Sequence, residues 1–261
     1  MAPYRWCAIT VSQIGPGHVH DGMPNQDAVC VLPIDDDMVQ GLAISVADGL
    51  GTCMSSDIGS AFAVRVACEQ LGKHFRRIME IDKETNELWN IGFGISAASI
   101  SIVTQWRAWC GLQPNELKDY SSTCLVAGSD GRMVCVGQLG DGLAVALMED
   151  RDYRIVGKPR TTFSNITESL SDTNAVDKWS WSIFDAGDIP LLVFLATDGI
   201  SDDLDPEMIS EFLNQLYDDL CRDGAEVLNA RLQEWLRDWP TEGHSDDKSL
   251  AILFRIARKE E

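Results

Sequence analysis

Five short acidic motifs punctuate the chain. "NQDA" carries Asp27, "VADGLG" carries Asp48 and "LGDG" carries Asp141; "ATDGISDD" carries Asp198, and "SDDKSLAIL" carries Asp246 and Asp247. Carboxylates are hard oxygen donors suited to Mg²⁺ or Mn²⁺. Two such ions about 3.5–4 Å apart, bridged by one carboxylate, can activate a water and neutralise a phosphoryl group. A glycine beside the acid helps, because a residue without Cβ lets its backbone carbonyl approach a cation. One Asp-Gly pair is an ordinary turn. Three of them, each closing an apolar run, with two further runs that begin in acid, favour a metal cluster over separate turns.

The elements that must carry these acids are legible as apolar runs. Residues 4–13, 28–34, 41–47, 191–197 and 250–256 read as strands. Residues 121–142 read as a hairpin turning through Asp130-Gly131. Helical spacing covers about 56–79, 84–110, 205–222 and 225–238, and the polar stretch 150–189 reads as a surface loop or flap. Three strands arrive at an acid (Asp48, Asp141, Asp198) and two depart from one (Asp27, Asp246). In a parallel sheet those acids would lie at opposite edges. In antiparallel sheets arriving and departing strands share an edge, so an antiparallel core with a carboxylate-rich rim is expected. No linker, repeat or low-complexity segment interrupts the chain, and residues 1–261 are expected to form one α+β domain.

Composition narrows the classes. The 261 residues hold 41 Asp and Glu against 21 Lys and Arg, a formal net charge of −20. That balance opposes nucleic-acid phosphates and anionic membranes, so neither is expected as a partner. Eight cysteines include no C-x-x-C, and several sit in apolar runs where a thiol behaves as a small hydrophobe. With no basic leader at the start and no apolar stretch of membrane length, a cytoplasmic location is expected. No Walker loop is present, which disfavours a P-loop nucleotidase. The D-x-D nucleophile of haloacid dehalogenases is not supplied by "ADG" or "TDG".

Taken in order, "NQDA", "VADGLG", "GDG", "ATDGISDD" and "SDDKSLAIL" resemble the motifs of the metal-dependent protein phosphatases (the PPM or type 2C family) over about Thr10 to Ile256. The compact form, with "GPGHVHDGMPNQDA", is similar to bacterial members. The resemblance implies two packed antiparallel sheets flanked by helices, a four-layer α-β-β-α arrangement. It implies two divalent ions, Mn²⁺ or Mg²⁺, with Asp48 bridging them, Gly49 lending its carbonyl to one, and Asp198 and Asp246 completing the other. Asp141 falls where some members bind a third, weaker metal, and Asp27 where an acid orients the nucleophilic water. The reaction implied is attack of a metal-bridging hydroxide on phosphoserine or phosphothreonine of a protein substrate, by a monomer opposed by a Ser/Thr kinase.

The chain also departs from that family. The arginine that often grips the substrate phosphate is missing from "HVHDGMPNQD"; His18 or His20 is the candidate replacement, with Arg5 a further one. Leu50 stands where some members have a histidine, leaving water as proton donor. Asp202 matches a common acid of the family, and Asp203 and Asp205 are read as caps of the next helix. Asp57 and Asp35 to Asp37 are read as surface acids. At the last motif Asp246 is taken as the ligand and Asp247 as standing in the place of an asparagine, a register that a one-residue slip would change. The missing arginine keeps a non-catalytic phosphoprotein-binding module as the alternative.

Overall fold

The computed structural model describes residues 4–36, 39–79, 89–131, 133–157, 167–185 and 187–257. Its elements run β1 (Tyr4–Gln13), α1 (Pro16–Asp21), β2 (Ala28–Asp36), β3 (Val39–Ala47), α2 (Ser56–Met79), α3 (Trp89–Cys110), β4 (Cys124–Ser129), β5 (Val134–Leu139) and β6 (Leu143–Leu147). They continue with β7 (Tyr153–Ile155), α4 (Ala175–Lys178), β8 (Ser180–Phe184), β9 (Leu192–Ala196), α5 (Asp198–Ser201), α6 (Ile209–Asp223), α7 (Ala225–Arg237) and β10 (Lys248–Ala257). A 3₁₀ turn at Leu117–Tyr120 precedes β4. The expected start of α3 at 84–88 lies outside the described residues, as does Asp37.

Two five-stranded sheets result, ordered β1-β10-β9-β6-β7 and β2-β3-β4-β5-β8, and every pairing between strands is antiparallel. The inner faces meet in a core of Ile44, Val46, Leu125, Ala127, Val193, Leu195, Ala251 and Leu253. Outside one sheet lie α2 and α3, packed through residues such as Val64, Leu71, Phe75 and Trp106. Outside the other lie α6 and α7. The buried Ile209, Leu213, Leu216 and Leu220 of α6 recur every three or four positions, so they share one face. Leu228, Leu232 and Leu236 do the same on α7. The expected four layers are present.

Register explains why the acids converge. Ala28 pairs with Ala47, so the start of β2 and the end of β3 lie side by side. Ala196 pairs with both Leu250 and Leu143, bringing together the end of β9, the start of β10 and the start of β6. Asp27, Asp48, Asp141, Asp198 and Asp246 all adjoin those termini. The link at Gly140-Asp141-Gly142 does more than turn a hairpin: β5 belongs to one sheet and β6 to the other. Asp141 therefore sits where the chain crosses between sheets.

The segment 150–189 departs from the expected loop. Its described parts hold β7 and β8, each an edge strand. Trp181 of β8 lies over Gly137, where a Cβ would come within 2.6 Å of the indole, and Trp179 and Trp181 stack with centroids 5.3 Å apart. Because polar residues alternate with apolar ones here, no continuous apolar run marks the strand. The period-two alternation of Ser180, Trp181, Ser182 and Ile183 is the signal that would have found it.

Candidate active site

Asp48 follows β3, and its backbone is pinned by hydrogen bonds to Ser122 and Thr123. Its N–H donates to Thr123 Oγ1 at 2.9 Å, and its carbonyl accepts from Thr123 N at 2.8 Å and from Ser122 Oγ at 3.0 Å. Gly49, next along, donates to the Gln26 carbonyl at 3.1 Å. A Cβ at position 49 would lie 2.6–2.8 Å from backbone atoms of Ser56 and Gln26. No side chain fits there, so the glycine is required by close approach.

One oxygen each from Asp48, Asp141 and Asp198 lies within 4.8 Å of the others, on three half-buried residues. Asp198 opens the short helical turn α5, and Asp141 accepts a hydrogen bond from Thr167 Oγ1 at 2.7 Å. Burial holds the Asp48 carboxyl well above the usual carboxylate range, reinforced by the charges of Asp27, Asp198, Asp246 and Asp141. An all-carboxylate donor set under mutual repulsion fits a hard divalent cation. The residues present therefore suit the metal that the motifs imply.

Asp27 is buried beside this group. Its Oδ2 accepts from Thr197 Oγ1 at 2.7 Å, while Ser249 N donates to the same hydroxyl at 3.0 Å. Burial raises the Asp27 carboxyl well above its ordinary range; the Thr197 bond opposes this, and the charges of Asp247 and Asp198 add to it.

The two neighbouring acids at the start of β10 have opposite surroundings. Asp246 is exposed, and its charge reaches Asp48. Asp247 is 2% exposed and turns inward: Gly15 N donates to its Oδ1 at 2.7 Å, Gln26 N to its Oδ2 at 2.6 Å, and His18 Nδ1 lies 2.8 Å from Oδ2. Asp247 ties the β1–β2 connection to β10. Asp246 is not among the three acids whose oxygens approach within 4.8 Å of one another.

The replacement candidates for the arginine separate in the same way. His18 has its Nδ1 at Asp247, whereas His20 is exposed on α1. Arg5 does not approach the site. It pairs with Ile256, eight residues along β1 from the Gln13–Lys248 pair at the acidic edge, and at about 3.3 Å per residue this is roughly 26 Å away. Asp203 is not a helix cap: its Oδ2 accepts from Trp239 Nε1 at 2.7 Å and lies 2.8 Å from His244 Nδ1. Asp205 does act locally, accepting from Glu207 N at 2.9 Å in the turn before α6.

Three residues that matter were not singled out from sequence: Ser122, Thr123 and Thr197. Each is at most 1% exposed and spends its hydroxyl on the backbone or side chain of an acid. The hydroxyl run Ser121-Ser122-Thr123 before an apolar strand was the available signal. Lys248 was also missed. Burial lowers its ammonium pKa, opposed by the charges of Asp246, Asp203, Asp247 and Asp27.

Residues 14–237 match the family described as Protein phosphatase 2C. The chain belongs to the protein phosphatase 2C family. This phosphatase is thereby a metal-dependent protein phosphatase acting on serine or threonine phosphate, and nothing in its fold favours the binding-only alternative. The match ends at residue 237 and so does not include Asp246 or Asp247. Similar solved structures include a bacterial serine phosphatase, 17% identical with a TM-score of 0.60 over 98% of this chain and 100% of that one. A serine/threonine phosphatase from Staphylococcus aureus is 15% identical, TM-score 0.60, over 98% and 96%. A serine-threonine phosphatase 2C from Toxoplasma gondii is 15% identical, TM-score 0.63, over 98% and 96%. At these identities they establish the fold. No curated protein matches the chain.

Proposed function

We propose that this phosphatase hydrolyses phosphoserine and phosphothreonine in proteins with two Mn²⁺ or Mg²⁺ ions, Asp141 adding a third, weaker site. The observation that carries this reading is the approach of Asp48, Asp141 and Asp198 to within 4.8 Å at strand ends drawn from both sheets. Asp48 would bridge, Gly49 would lend its carbonyl to one ion, and Asp198 and Asp246 would hold the other. Bound there, the ions supply positive charge for the phosphoryl group and lower the pKa of a water.

The chain's own residues supply the rest. Asp27, fixed by Thr197, accepts a hydrogen bond from the attacking water and sets its direction. As the water oxygen bonds to phosphorus, the bond to the serine or threonine oxygen breaks and inorganic phosphate leaves. Position 50 is leucine, so solvent protonates the departing alkoxide. His20, exposed on α1, is the better placed of the two histidines to meet the substrate phosphate. The reading extends to a cytoplasmic monomer working against a Ser/Thr kinase; among the described residues no helix is long and apolar enough to cross a membrane. Hydrolysis of p-nitrophenyl phosphate and of a phosphothreonine peptide, with Mn²⁺ and after chelation, tests the proposal. Equal rates in both conditions would overturn it.

A further inference from the structure

The backbone carbonyl of Asp246 is held by two side chains. Lys248 Nζ donates to it at 2.9 Å, and His244 Nε2 lies 3.1 Å from it. His244 is in turn steadied at Nδ1 by Asp203, 2.8 Å away, and Asp203 accepts from Trp239 Nε1 at 2.7 Å. Lys248 Nζ also stands 5.6 Å from the Trp239 ring centroid. Three separate segments meet here: the turn after α5, the stretch after α7, and the start of β10.

Lys248 is only 2% exposed. It adjoins a cavity of about 310 Å³, also lined by Gln13, Arg237, Trp239 and His244, yet its ammonium bonds back to a main-chain carbonyl. A buried lysine needs strong compensation. Here its ammonium donates to the Asp246 carbonyl and stands against the Trp239 ring. A peptide carbonyl held by two side chains leaves its residue little freedom to turn about the backbone, which fixes the Cα–Cβ direction from which the Asp246 carboxylate projects. The Asp247 N–H, donating to Asp246 Oδ1 at 2.9 Å, restrains the same side chain directly.

We infer that Lys248 and His244 are positioning residues for Asp246, gripping its carbonyl so that its carboxylate meets a metal ion preorganised, with Asp203 and Trp239 holding His244 in place. The inference rests on the proposed reading of Asp246 as a metal ligand. A contact that orients a metal-ligating group is ordinarily worth a factor of about 10–100 in metal affinity. Coulomb's law alone predicts the opposite sign, because removing a cation from the site would tighten binding of Mn²⁺.

The test is a titration of Mn²⁺, followed by the electron paramagnetic resonance of the free ion, on the full chain and on Lys248→Met, Lys248→Arg and Trp239→Phe. Melting temperatures are measured on the same proteins in chelator. Lys248→Met is expected to weaken one Mn²⁺ site by about tenfold, Lys248→Arg to recover most of the loss, and Trp239→Phe to weaken the site about two- to threefold. Tighter binding in Lys248→Met overturns the inference in favour of simple charge competition. A lowered melting temperature with unchanged affinity overturns it in favour of a purely structural lysine. If Lys248→Met does not fold, Trp239→Phe decides between positioning and a purely structural role: a lowered melting temperature with unchanged affinity overturns the inference. Wild-type protein that neither binds Mn²⁺ nor hydrolyses p-nitrophenyl phosphate removes the metal reading itself; wild-type binding with unaltered variants removes only this inference.

Discussion

Asp247 and His18 stand 229 positions apart in the chain and meet at 2.8 Å, where α1 is bound to the start of β10. The contact fixes which of two adjacent acids faces inward. Asp247 accepts from two buried backbone N–H groups besides, whereas Asp246 stays exposed.

From this follows a separation of stability from activity. Asp247→Ala strands the N–H groups of Gly15 and Gln26, and about 1–3 kcal/mol is expected for each donor left unsatisfied. Asp246→Ala removes an exposed acid from a repelling group, so the metal-free protein should melt within a few degrees of wild type while Mn²⁺-activated turnover falls steeply. Thermal melts in chelator beside activity assays check both. The reverse assignment of effects would put the register wrong by one residue.

His18 and His20 should behave differently. With its ring held at Asp247, His18→Ala is expected to cost about 1 kcal/mol of stability and to leave KM for p-nitrophenyl phosphate within about twofold. His20→Ala is expected to raise KM severalfold with kcat nearly unchanged, because a side-chain contact to the phosphate contributes mainly ground-state binding. Unchanged kinetics in both variants would leave phosphate binding to the metals.

Metal removal sets the next expectation. Chelation should abolish turnover, and Mn²⁺ or Mg²⁺ should restore it. Asp48→Asn should reduce kcat by several orders of magnitude because it touches both proposed ions, and Asp198→Asn and Asp246→Asn should also be severe. Asp141→Asn should be milder and recover at higher metal concentration. Full activity after dialysis against excess chelator would end the metal reading.

Burial and neighbouring charge hold Asp27 and Asp48 well above the usual carboxylate range in the metal-free protein. The folded state then keeps protons that the unfolded chain has already released, so stability falls as pH rises from the ordinary carboxylate value through the raised folded values. The metal-free protein should gain stability from these groups on acidification toward the ordinary carboxylate value. Mn²⁺ needs the ionised carboxylates, so its binding should release protons and tighten as pH rises. Calorimetric titration in buffers of different ionisation heat counts the protons; a count of zero would contradict the raised values.

Gly199 is a steric test of the site's framework. A Cβ there would lie 1.9 Å from the Asp247 carbonyl oxygen, which the main chain cannot relieve without moving β10 and α5 apart. Gly199→Ala is expected to cost about 1–3 kcal/mol and to lower Mn²⁺ affinity, because Asp198 and Asp246 each adjoin one of the two residues in that contact. Normal melting and normal metal binding would show that the two segments separate freely.

What the sequence determined by itself was local or followed from order along the chain. The run Ser56–Met79 declared its helix by the spacing of its apolar residues, and α6 and α7 did so by faces that recur every three or four positions. The antiparallel arrangement followed from counting which strands arrive at an acid and which leave one, because only antiparallel neighbours bring both kinds to one edge. Tertiary structure decided whatever depends on a partner distant in the chain. Asp246 and Asp247 are identical residues one position apart, and the N–H groups of Gly15 and Gln26, more than two hundred positions away, turn one inward and leave the other exposed. Asp203 read as a helix cap until His244 and Trp239 came beside it. Arg5 read as a candidate phosphate ligand until the register of β1 carried it to the far edge. Periodicity is written in the side chains of one segment, whereas a hydrogen bond between segments exists only once the sheets have closed over their common core.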